Sequence, residues 1–93
     1  MVIGIITADL SIGGCTSLKE KRMVLKSLKK RLRNKFNVAV SETDNHDLWQ
    51  RGTLAVVTVV TDKRMANSVL SSIVNFLEAQ HQTEIIDYSL ELI

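Results

Sequence analysis

Glu42–Arg51, ETDNHDLWQR, is the densest run of functional side chains in the sequence. Glu42 and Asp44 alternate along an extended stretch, which puts both carboxylates on one strand face. His46 and Asp47 follow. Two carboxylates and a histidine are the ligand types of a divalent-metal hydrolase. Their spacing matches no ligand motif, and Asx-rich turn chemistry accounts for the same residues. No metal, cofactor or catalytic set is assigned. Trp49 either caps the end of the core or stacks on a base or partner side chain, and core packing is the expected arrangement.

Two further features invite chemistry. Gly13-Gly14 precedes a helix, where backbone N–H groups can hold an anion. The loop SIGGCTS matches neither a P-loop nor GxGxxG, and no Arg of an acylphosphatase-like phosphate loop precedes Lys19. Cys15 lies near the same positive helix end, which can lower a thiol pKa. No base stands beside it in the sequence, so an unreactive thiol is expected.

The strongest signal is charge. Ser17–Phe36, SLKEKRMVLKSLKKRLRNKF, carries nine Lys and Arg against Glu20 alone, in a chain whose net charge is only +2. At about 100° per residue, Lys19, Arg22, Lys26, Lys30 and Arg33 fall on one stripe of a helix. Like charges at these spacings repel, and a polyanion relieves them. A solvated face whose lysines serve helix propensity is the competing reading. The single interspersed carboxylate favours a surface facing RNA or the ribosome. Lys21, Lys29 and Arg51 stand at its margin. Lys21 projects close to the leucine side, with its stem packed and its ammonium reaching the rim.

These residues need a scaffold, and the chain encodes one. Val2–Leu10 is β-branched and nearly apolar throughout, as in a central strand. Ser17 and Glu20 have capping-box spacing, and Leu18, Leu25, Leu28 and Leu32 with Val24 form a buried stripe up to a helix end near Asn34. Phe36–Asp44 and Thr53–Thr61 read as a hairpin. Asp62 caps a second helix, Lys63–Gln80, which buries Ala66, Val69, Leu70, Ile73, Val74 and Leu77. His81 sits at its end. In Glu84–Ile93, alternation points Ile86, Tyr88, Leu90 and Leu92 inward. The order βαββαβ predicts an α+β, ferredoxin-like domain spanning residues 1–93. Its four-stranded antiparallel sheet has both helices on one face.

That layout excludes one RNA-binding mode. RNA-recognition motifs stack bases on aromatic residues of the central strands. VIGIITADL and TLAVVTVVT contain none. The uncovered sheet face presents Ile3, Ile5, Ala55, Val57 and Val59, an apolar patch that suggests a homodimer. One cysteine excludes an internal disulfide and fits a reducing compartment. No apolar run approaches a membrane span, and no signal peptide is evident, so the expected location is cytoplasmic with no membrane partner.

SLKEKR (Ser17–Arg22), LRNKFNVAVSE (Leu32–Glu42) and DLWQR (Asp47–Arg51) together resemble the YlxP-like family of small bacterial proteins, a family of unknown function. The resemblance covers essentially the whole chain. It implies the ferredoxin-like fold. It also implies a gene neighbourhood of transcription termination factor A, translation initiation factor two and ribosome-binding factor A, hence a translation-associated role. It carries over no catalytic residue. The reading is a non-enzymatic RNA- or ribosome-associated factor. The alternative is a dimeric regulatory module of the amino-acid-binding type with no nucleic-acid partner.

Overall fold

The computed structural model describes residues Met1–Ile93. The elements follow the expected order. They are β1 (Val2–Ser11), α1 (Leu18–Lys35), β2 (Ala39–Asp44), β3 (Arg51–Val60), α2 (Lys63–Glu78) and β4 (Glu84–Leu92). The sheet order is β2-β3-β1-β4, with every neighbouring pair antiparallel. This is the ferredoxin-like α+β arrangement.

The register sorts the faces. Gly4, Ile6, Ala8 and Leu10 pair with Thr58, Val56, Leu54 and Gly52, and all eight are buried beneath the helices. Thr58 is the polar member, and its hydroxyl donates to the Asn37 carbonyl at 3.0 Å. The core adds Leu25, Leu28 and Leu32 from α1 with Leu70, Ile73, Val74 and Leu77 from α2. Both helices begin on side-chain caps. The Ser17 hydroxyl accepts from the Glu20 N–H and the Asp62 carboxylate from the Met65 N–H. Glu20 does not close the reciprocal capping box on Ser17. It reaches one residue further and takes both the N–H and the hydroxyl of Thr16, each at 3.0 Å.

α1 ends at Lys35, and Phe36 is its C-cap rather than the first residue of β2. Phe36 then meets Phe76 of α2 edge-to-face, with ring centroids 5.8 Å apart. Arg31 bonds to Gln80 just beyond α2. The C-terminal half of α1 thus runs beside the C-terminal part of α2. The N-terminal half of α1 extends past it, over the turn joining β2 to β3.

Two expectations about side-chain direction and one about burial need correction. In β2, Glu42 pairs with Leu54 but Asp44 pairs with Thr53, because the register shifts between them. The irregularity sends Glu42 to the helix face and Asp44 to the open face, so the two carboxylates do not share a face. In β4 a second shift puts Ile85 opposite Leu10 and Asp87 opposite Asp9. Ile85 therefore faces the core, while Ile86 is 52% exposed. Tyr88 and Leu90 do point to the helix layer, opposite Ala8 and Ile6, yet both stay largely exposed on this edge strand.

Candidate nucleic-acid interface

α1 turns three surfaces to its surroundings. Leu25, Leu28 and Leu32 face the sheet. Glu20, Val24 and Ser27 face a groove shared with the start of β4, and Arg31 reaches toward α2. The remaining flank carries Lys19, Arg22, Lys26, Lys30 and Arg33, all exposed. None of the five belongs to an ion pair. The molecule has two such pairs, Lys21 with Glu42 at 3.0 Å and Arg51 with Asp9 at 3.9 Å. The one carboxylate of α1, Glu20, is held by Thr16, whose backbone and side-chain hydrogen bonds keep it below the ordinary glutamate range. The stripe therefore has no internal counter-charge. Lys29 is half-buried between the stripe and the leucine face.

Lys21 is not a marginal contact. Its side chain is fully buried. Its ammonium donates to the carbonyls of Asn45, His46 and Arg51 at 2.9, 3.0 and 3.2 Å. Three acceptors satisfy its three donors, and the Glu42 carboxylate supplies the opposite charge at 3.0 Å without a hydrogen bond of its own. A phosphate can reach none of these hydrogens. The spacing of Lys21 within the leucine stripe signalled burial, but its acceptors lie 24 to 30 residues away.

The segment around Lys21 is tied down in several places. Asn45 takes a left-handed φ of 60°, and its side-chain amide donates to the Thr53 hydroxyl. Thr53 in turn donates to Asp9 at 2.6 Å. A His46 ring nitrogen lies 3.0 Å from the Glu42 carbonyl oxygen. The Gln50 carbonyl accepts from the Ile12 N–H, and its side chain donates to the Cys15 carbonyl. Glu42, Asp44, His46 and Asp47 are thus engaged in local structure or apart, and no three His, Cys, Asp or Glu side chains gather as metal ligands. Trp49 corrects the expectation of core packing. It is 52% exposed, on the connection between β2 and β3. Arg51 is exposed at the base of this turn. Cys15 is buried in the core cluster.

The fold and this flank together define a small α+β domain with one unpaired cationic helix face. A family model described as a protein of unknown function, DUF503, matches residues 3–90, and the chain belongs to that family. It is 34% identical over 83 residues to the uncharacterized protein YlxP of Bacillus subtilis (strain 168), an alignment covering 89% of this chain and 90% of that one. No helix is long and apolar enough to cross a membrane.

Proposed function

We propose that this protein is a non-enzymatic RNA-binding factor that contacts phosphates through the exposed flank of α1. Ribosomal RNA or the ribosome is the proposed partner. The observation carrying the reading is the absence of any carboxylate partner for Lys19, Arg22, Lys26, Lys30 and Arg33. Uncompensated like charges one helical turn apart are relieved by a polyanion. Lys29 and Arg51 lie at the rim, and the half-exposed Trp49 is available to stack on a base. Lys21 is a structural residue and takes no part.

Binding to ribosomal RNA and purified subunits, titrated across salt concentration, tests the reading. Five phosphate contacts give a log–log salt slope of about −3.5 to −4.5. The Lys26→Glu/Lys30→Glu variant should lose most of the affinity. No binding, or binding indifferent to the charge reversal, sinks the proposal.

We further propose that a second copy covers the open sheet face. Ile3, Ile5, Ala55 and Val57 are only partly covered there and Val59 is 53% exposed, in a contiguous apolar patch on the two central strands.

A further inference from the structure

We infer that the free edge of β4 is a docking site for an extended, basic segment of a partner protein, which adds to the sheet as a fifth strand. β4 is a nine-residue edge strand (Glu84–Leu92) without lysine or proline. Edge strands are ordinarily guarded by such residues, because their free N–H and C=O groups template further pairing. Ile3 and Ile93 exchange both backbone hydrogen bonds, at 2.9 and 2.8 Å. Antiparallel alternation then turns the backbone groups of Asp87, Ser89 and Glu91 toward β1 and those of Tyr88, Leu90 and Leu92 outward. The Tyr88 N–H is covered by its neighbour, the Asp87 carboxylate, at 2.9 Å.

The side chains identify the occupant. On the helix side, Tyr88 and Leu90 are 43% and 49% exposed, so an added strand gains apolar contacts there. On the open side, Asp87 and Glu91 are exposed, and Asp87 sits directly opposite Asp9. Asp9 already has Arg51 at 3.9 Å, whereas Asp87 and Glu91 have no cationic partner, and a basic residue on an added strand supplies one. The groove at the start of β4 continues the pattern. Its walls carry Glu20, Glu78, Glu84 and Asp87 and no Lys or Arg. The complementary strand alternates apolar with basic residues. A second copy of this chain cannot supply it, since Arg51 is the only Lys or Arg in any of its four strands. The site lies on the α2 side of the molecule, away from the cationic flank of α1, so RNA and a basic protein segment can be held together.

The probe is a synthetic peptide of β4's length alternating lysine with valine, titrated against the full chain. Two controls accompany it, a composition-matched block scramble and the alternating peptide N-methylated on the amides that would face β4. The alternating peptide should bind one-to-one, and both controls at least about ten-fold more weakly. Hydrogen exchange at the Leu90 and Leu92 amides should slow on binding. Leu90→Lys guards the edge and should weaken binding by a similar factor. Asp87→Lys should do so as well, with urea unfolding confirming that the variant is folded, since it also removes the carboxylate that accepts from the Tyr88 N–H. Lys26→Glu/Lys30→Glu should leave peptide binding intact, which separates this surface from the RNA reading. Absence of binding, equal binding of the scramble or N-methylated peptide, or unchanged exchange at Leu90 and Leu92 overturns the inference.

Discussion

The Lys21 ammonium and the Glu42 carboxylate meet at 3.0 Å inside the molecule and join α1 to β2. Removing one partner of a buried pair leaves the other uncompensated, and here three backbone carbonyls lose their donor as well. Lys21→Met should therefore destabilise the fold by about 3–5 kcal/mol. Urea unfolding measures it. Lys26→Met, on the exposed stripe, should stay within about 0.5 kcal/mol of wild type. Equal effects of the two would show that the buried ammonium has no special structural part.

Glu20 gives the stability a defined pH signature. Its carboxyl is held below the ordinary glutamate range by the Thr16 N–H and then the Thr16 hydroxyl. A lowered folded-state value stabilises the fold above the unfolded value. That contribution is lost as pH falls through the lowered one. Glu20→Gln should be less stable than wild type at neutral pH, and the difference should vanish once acid has protonated Glu20 in both states. Urea midpoints across pH report it, and a difference that persists in strong acid would contradict the assignment.

The cationic flank predicts graded behaviour toward RNA. Each single Lys or Arg to Gln change among Lys19, Arg22, Lys26, Lys30 and Arg33 should reduce the salt slope by about 0.7–0.9. Lys63→Gln, on α2, should leave the slope unchanged. Equal losses at Lys63 and at the five would mean that net charge, not a defined surface, drives binding.

The open sheet face predicts self-association. Val57→Lys places an ammonium in the middle of the patch formed with Ile3, Ile5, Ala55 and Val59, and should convert a dimer to monomer in sedimentation equilibrium. A wild-type chain that stays monomeric across the accessible concentration range rules out the dimer.

How far the sequence discloses this molecule depends on the range of the interaction. The elements follow from local periodicity and caps, so Ser17, Asp62 and Leu25, Leu28 and Leu32 of α1 lie where the spacing puts them, while Leu18 is only half-buried and outside the core cluster. The directions of Asp44 and Ile85 do not, because single-residue register shifts arise from strand pairing. The same holds for the cationic flank. Its five residues are readable as a stripe and Lys21 as a residue of the leucine side, but the carbonyls that satisfy its ammonium belong to a distant turn. Trp49 is an aromatic beside a turn in either view, and its 52% exposure depends on tertiary placement that local spacing does not encode.

Cys15 lies within the core, 5% exposed and without a partner thiol. The folded surface consequently offers no thiol to an oxidant, and its exposed sulfur is the thioether of Met1, Met23 and Met65. With that thiol buried, an interchain disulfide should not trap two copies of the folded chain. The proposed dimer should therefore vary with protein concentration, and a reductant added to the buffer should not alter it.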